Sequence, residues 1–144
     1  MNVQQPKQIE IILADENAVG YNLFNEAVTH LGIPAILSAF DSCGKLVRFL
    51  EKFKAPPAAP DVIFMDIDLS AKHGKACLRE LRENPRYKNT PIIVFASSFT
   101  PLDIKDSRKF GANLYINKPT RLPELIDLLQ KIFSPRWQRI LLQN

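Results

Sequence analysis

Four carboxylates, two hydroxyls and one lysine are spaced so that they could act together. Asp15 and Glu16 are adjacent in ILADEN, Asp66 and Asp68 lie two apart in FMDIDL, Ser97 and Ser98 follow PIIVFA, and Lys118 sits in YINKP. Each group comes directly after a short apolar run. Crowded carboxylates repel one another unless a cation neutralises them. Their oxygens suit a hard ion such as Mg²⁺, which takes one or two carboxylates and completes its shell with water. An aspartate relieved of charge in this way can attack phosphorus, while a lysine balances the phosphoryl oxygens. The chemistry that fits is formation of an aspartyl phosphate. Other chemistries lack their residues. No glycine-rich phosphate loop is present, and His30 and His73 fall within or at the start of helical segments, away from any Ser/His/Asp set.

Positioning these groups requires strands that end side by side. Ile9–Ala14, Val62–Met65 and Pro91–Ala96 are continuously apolar rather than alternating. That pattern marks strands buried on both faces, as in a parallel sheet. Ala35–Ala39 and Leu114–Asn117 are weaker runs that read as flanking strands. Between them lie five segments with helical spacing. The first carries Leu23, Phe24, Ala27, Val28 and Leu31 and ends at Gly32-Ile33-Pro34. The second carries Leu46, Val47, Phe49, Leu50 and Phe53, with Asp41 or Ser42 as N-cap. Leu78 and Leu81 anchor the third, which stops before Pro85. Thr100-Pro101-Leu102-Asp103 reads as a capping box opening the fourth, which stops at Gly111. Leu122, Leu125, Ile126, Leu129, Ile132 and Phe133 form the fifth, with Pro123 in its first turn. Strand and helix alternate five times, which predicts one doubly wound α/β domain with helices on both faces. In such sheets ligands bind beyond the carboxyl ends of the strands, where the acids, serines and lysine fall.

Composition agrees with one globular domain. The 144 residues are 46% hydrophobic and 24% charged, which excludes disorder and collagen-like repeats. No apolar run approaches the roughly 20 residues that span a bilayer, and the MNVQQPKQ start has no signal-peptide core. The expected location is the cytoplasm. Cys43 and Cys77 belong to no CxxC or Cys/His cluster, so both are expected to be free thiols, small residues on helices in a reducing compartment. The formal charge of +4 comes from scattered lysines and arginines without a basic run, so nucleic acid is not the expected partner. Eleven prolines stand against five glycines. Most sit at element boundaries, and Pro56, Pro57 and Pro60 form a stiff loop, APPAAP, before the third strand.

With these residues in place, the chain resembles the receiver domain of two-component response regulators. The resemblance rests on the acidic pair in ILADEN, the strand aspartate in DVIFMDIDL, Gly74 eight residues past Asp66, and GANLYINKP. It covers nearly the whole chain, with residues 1–8 as a tail, 9–133 as the receiver and 134–144 as a short extension. The proline loop and ENPRYKNTP look most similar to small stand-alone receivers of the phytochrome-associated type. The resemblance implies a flavodoxin-like, five-stranded parallel sheet in the order 2-1-3-4-5 with five helices in a three-layer sandwich. It also implies Asp66 as phosphoacceptor and Lys118 as the lysine that pairs with the phosphoryl group. Asp15 and Glu16, with Asp66 and the backbone carbonyl of Asp68, would hold Mg²⁺, or Mn²⁺ in its place. Pro119 falls at the family's cis-proline position, and Tyr115 at its aromatic switch. The implied partners are a sensor histidine kinase or histidine phosphotransfer protein and a downstream protein target, with a homodimer through the fourth helix, fifth strand and fifth helix. No membrane partner is implied. The domain would act as a phosphoacceptor rather than an enzyme, with only slow self-phosphorylation and dephosphorylation.

Two positions depart from the family pattern. Glu16 stands where a second aspartate is usual, and its extra methylene is expected to weaken the grip on an octahedral ion. Ala96 stands where the family places Thr or Ser, five residues on from Pro91. A hydrogen bond to a charged group is worth about 1.5–3 kcal/mol, so its loss loosens the link between phosphorylation and the following loop. Ser97 or Ser98 could supply the hydroxyl only if that loop shifts, because neighbouring strand residues point opposite ways. A degenerate receiver, binding proteins without phosphorylation, is the alternative that Ala96 favours. Asp66-Ile67-Asp68 also resembles the nucleophile motif of haloacid-dehalogenase-type phosphatases, but the chain is short for such an enzyme and offers no cap.

Overall fold

Residues 8–52, 59–69 and 73–135 are described in a computed structural model, residues 18 and 19 by their backbone alone. Phe53, most of the proline loop and the tail beyond residue 135 lie outside the described residues. The apolar runs form β1 (Ile9–Ala14), β2 (Ala35–Phe40), β3 (Val62–Asp66), β4 (Ile92–Ala96) and β5 (Leu114–Asn117). The segments between them form α1 (Ala18–Leu31), α2 (Cys43–Leu50), α3 (Gly74–Glu83), α4 (Pro101–Lys109) and α5 (Leu122–Ile132). All strand pairings are parallel, in the order β2-β1-β3-β4-β5. This is the flavodoxin-like order the resemblance implied.

Alternate residues of the central strands feed two separate cores. Ile12, Ala14, Ile63, Met65, Ile92, Val94 and Ala96 pack with Leu46 and Leu50 of α2 and Cys77, Leu78 and Leu81 of α3. Ile11, Leu13, Val62, Phe64, Ile93 and Phe95 face the other way, onto Phe24, Ala27 and Val28 of α1 and Leu125, Leu129 and Ile132 of α5. Phe24, Phe64 and Phe95 make the centre of that second core, with ring centroids 5.0–5.7 Å apart. Burial on both faces explains why β3 and β4 are apolar without alternation.

Local signals stop and start the helices as their residues dictate. Gly32 takes φ 64° after α1 and Gly111 takes φ 100° after α4, a conformation that costs glycine little. Ser42 caps α2, its hydroxyl accepting from the Lys45 amide at 3.3 Å. At α4 the Thr100 hydroxyl accepts from the Asp103 amide (3.0 Å) and the Asp103 carboxylate accepts from the Thr100 amide (2.9 Å), a full capping box. Lys75 of α3 reaches across to Asp103 (2.8 Å) and Asp106 (3.0 Å). Lys75 first, then the Thr100 amide, hold the Asp103 carboxyl below its ordinary value. A depressed carboxyl stabilises the fold above its unfolded pKa and loses that contribution as pH falls through the folded value. Melting curves between pH 7 and pH 3 are therefore expected to show Asp103→Ala about 1 kcal/mol less stable at neutral pH, with the difference beginning to shrink only below about pH 4.

One expectation is overturned. Cys43 and Cys77 are on helices as expected, but they are not free: a disulfide joins them, with Cα atoms 5.7 Å apart. The topology is the reason. Right-handed crossovers put α2 and α3 on the same face of the sheet, and each cysteine lies in the first turn of its helix. The bridge closes a loop with a sequence separation of 34, worth about 4 kcal/mol on a chain-entropy argument.

Candidate functional site

The carboxyl ends of β1, β3, β4 and β5 meet at one end of the sheet, each pinned by a backbone bond. The Asp15 amide donates to Phe40 O (3.0 Å), the Ile67 amide to Phe95 O (2.8 Å) and the Lys118 amide to Ala96 O (2.8 Å). Two aspartates are then held in the same way. Asp15 accepts through Oδ1 from the Asn17 amide, and Asp66 through Oδ1 from the Asp68 amide, both at 2.9 Å. These are Asx turns, which fix one carboxylate oxygen and leave the other to project. Both projecting oxygens converge on Lys118 Nζ, Asp15 Oδ2 at 2.5 Å and Asp66 Oδ2 at 2.9 Å. The Asp15 side chain is 2% exposed, that of Asp66 14% and that of Lys118 21%. Burial opposes the charge on Lys118, but the Asp15 and Asp66 carboxylates outweigh it and hold its pKa above the ordinary lysine value.

Two glycines make room for this arrangement. A Cβ at Gly20 would stand 2.7 Å from Asp15 Oδ2, so α1 passes over that carboxylate only because the residue is glycine. A Cβ at Gly74 would stand 2.5 Å from the carbonyl oxygens of both Asp66 and Ile67. Gly74 was read from its spacing to Asp66, and the close backbone approach is its physical reason. Gly20 was missed, although an isolated glycine inside a helical pattern is a recognisable signal of close packing.

The remaining site residues are near but not all engaged. Glu16 is exposed, and among the described residues no group of three acidic, histidine or cysteine side chains is close enough to hold an ion together. Glu16 instead lines, with Asp15, Asn17 and Tyr21, a cleft of about 350 Å³ that runs towards Asp41 and Lys45. Ala96 is fully buried and carries no hydroxyl, while Ser97 and Ser98 are exposed beyond it. Pro119 follows Lys118 directly and is half-buried. Tyr115 lies half-buried on β5 against the Phe99 ring, centroids 5.7 Å apart. Its hydroxyl accepts from Arg108 Nη2 at 2.5 Å, and the same guanidinium lies 5.3 Å from its ring centre. Nothing in the sequence spacing singles out Arg108.

Two carboxylates held on one ammonium are oxygen donors of the kind a small divalent cation takes. The family model for the response regulator receiver domain matches residues 11–130. The chain belongs to this family. Receivers of this kind operate in two-component signalling. Response regulator Rcp1 of Synechocystis is 32% identical over 75 residues, covering 52% of this chain and 51% of Rcp1. The receiver thus spans about half the length of that relative in the matched region. Among solved structures, phosphorylated RcpA, a cyanobacterial phytochrome response regulator, superposes with a TM-score of 0.76 at 26% identity, covering 88% of this chain and 91% of its own. Rcp1 in its Mn²⁺-bound form gives 0.74 at 25% identity, covering 90% and 94%. The similarity to phytochrome-type regulators agrees with the reading of the receiver's own sequence.

Proposed function

We propose that this receiver accepts a phosphoryl group on Asp66 from a phosphohistidine of a sensor kinase or phosphotransfer protein in the cytoplasm. The observation that carries the reading is the convergence of Asp15 Oδ2 and Asp66 Oδ2 on Lys118 Nζ, with both Oδ1 atoms already fixed. Asp66 is the nucleophile, oriented by the Asp68 amide before any donor arrives. Lys118 releases the Asp66 carboxylate and pairs with a phosphoryl oxygen, staying anchored through Asp15. Asp15, Asp66 and the Asp68 carbonyl are the residues that would hold Mg²⁺ or Mn²⁺, with Glu16 acting through water. That ion, when bound, supplies charge neutralisation for phosphoryl transfer. The change is then passed to the face made by α4, β5 and α5, where Tyr115 lies, and from there to a protein target or a second copy of the chain.

A second reading has one observation in its favour. Ala96 offers no hydroxyl to a phosphoryl group, so a receiver that binds partners without phosphorylation would tolerate it. The two readings separate when the protein is incubated with Mg²⁺ and acetyl phosphate and its mass is followed. The expected result is a gain of one phosphoryl group that Asp66→Asn abolishes. No gain, or a gain that survives Asp66→Asn, sinks the phosphoacceptor reading and leaves the binding module.

A further inference from the structure

The bridge between α2 and α3 has no part in the phosphoacceptor reading. We propose that Cys43–Cys77 is a reversible thiol–disulfide site, opened by a small thiol and closed by a small disulfide, whose state sets how firmly the segment after Asp66 is held. Its effect on phosphoryl uptake rests on the reading of Asp66 above; its effect on the segment itself does not.

Three observations carry the proposal. First, the two cysteines are unequal. Cys77 is 1% exposed, whereas Cys43 is only half-buried and precedes Gly44, around whose absent Cβ nothing lies within 4 Å. A reductant can therefore reach Cys43 without unfolding the domain. Second, the bridge is one part of an apolar core and not its only hold. Leu46, Leu50, Met65, Leu78 and Leu81 already fill that face, and a domain of this size needs no staple to fold. Disulfides that solvent can reach are the labile, regulatory kind. Third, the bridge is linked mechanically to the site. The Cys77 amide donates to His73 O (2.9 Å) and the His73 amide to Leu69 O (2.7 Å), while Gly74 lies against the carbonyls of Asp66 and Ile67. Tying Cys77 to α2 therefore ties down the start of α3 and, through it, the turn that orients Asp66.

The exchange balances as two ordinary steps. A thiolate bonds to Cys43 Sγ, the electron pair of the protein disulfide leaves on Cys77 Sγ, and that sulfur takes up a proton. A second thiolate then attacks the mixed disulfide, releasing Cys43 as a thiol and forming the small disulfide. The protein gains two electrons and two protons, and the reverse reaction with oxidised glutathione returns them. The Glu80 carboxylate lies 3.6 Å from Cys43 Sγ, where it opposes an approaching thiolate.

The test uses the full chain, wild type, Cys43→Ser and Glu80→Gln, in defined ratios of reduced to oxidised glutathione. Thiol labelling and mass should show two cysteines converting between bridged and free in the folded protein, with Glu80→Gln reduced several-fold faster at low salt. Amide hydrogen exchange at residues 43–47, 66–69 and 73–77 should be about ten-fold faster in the reduced form. Cys43→Ser should match the reduced form in both buffers. Phosphoryl uptake from acetyl phosphate should slow several-fold on reduction in wild type and not change with redox state in Cys43→Ser. A bridge that yields only after denaturation, or equal exchange in the two states, overturns the proposal. If exchange differs but neither form takes up phosphoryl, the redox site stands and the reading of Asp66 falls.

Discussion

Replacing Lys118 with methionine is expected to slow phosphoryl uptake on Asp66 by about 10²-fold or more while tightening the binding of divalent cations. The two effects run in opposite directions because one ammonium does two jobs. It occupies the space between Asp15 Oδ2 and Asp66 Oδ2, the carboxylates that would hold a cation on the proposed reading, and would then compete with it. On the phosphoacceptor reading it is also the positive group that meets the phosphoryl oxygens. Removing it leaves two carboxylates, with side chains 2% and 14% exposed, facing each other without a counter-charge. In chelator the variant should therefore be less stable by about 3 kcal/mol, and Mg²⁺ should restore that stability by binding the folded state alone. Isothermal titration with Mg²⁺ and single-turnover uptake from acetyl phosphate test the two effects. Metal affinity that falls together with uptake would show that Lys118 does not stand in the cation's place.

Arg82→Met is expected to be strongly destabilising although Arg82 belongs to neither apolar core. The guanidinium donates through Nε to Gly111 O (2.9 Å), through Nη1 to the carbonyls of Tyr87 (2.8 Å), Lys88 (3.2 Å) and Thr90 (2.9 Å), and through Nη2 to Asn113 Oδ1 (2.8 Å). Asn113 Oδ1 also accepts from the Ile92 amide at 2.8 Å, extending the β4–β5 ladder by one step. One side chain thus joins the end of α3, the turn before β4 and the turn before β5. Burial pulls its pKa below the ordinary arginine value, as expected when its acceptors are neutral. Each acceptor left unpaired costs about 1–3 kcal/mol when buried. Several are partly exposed, so the sum should be about 3–4 kcal/mol, or about 10 °C in Tm. Arg82→Lys should recover little, because three donors on a point charge cannot replace a fork of five. Gly111 belongs to the same unit: a Cβ there would stand 2.5 Å from Arg82 Cγ. A chemical-denaturation loss under about 1 kcal/mol for Arg82→Met would show that water replaces the guanidinium freely.

What was legible in the sequence is what local chemistry determines. The continuous runs of β1, β3 and β4 announced two-sided burial, and Thr100, Pro101 and Gly111 marked the two ends of α4. The acids could be placed because a parallel sheet brings every strand's carboxyl end to one side. What stayed hidden depends on residues far apart in the chain meeting in space. Lys118 and Asp15 are 103 positions apart, and nothing in either segment says that one ammonium holds both aspartates. Arg82 looks like any polar residue near a helix end until its five acceptors are assembled around it. The disulfide was hidden for a different reason. Cys43 and Cys77 belong to no local motif, whereas the crossover rule that puts α2 and α3 on one face makes them neighbours.

Because all five strands point the same way, the acids at the carboxyl ends of β1 and β3 are gathered at one end of the sheet. There Asp15 and Asp66 meet Lys118, and Glu16 and Asp68 lie exposed beside them. A net charge of +4 therefore coexists with a site whose carboxylates outnumber the lysine they hold. On the phosphoacceptor reading, an anionic donor approaches that end against the local charge. A divalent cation bound there would offset that opposition, so the ion's first service would be to admit the donor, before any bond to phosphorus changes.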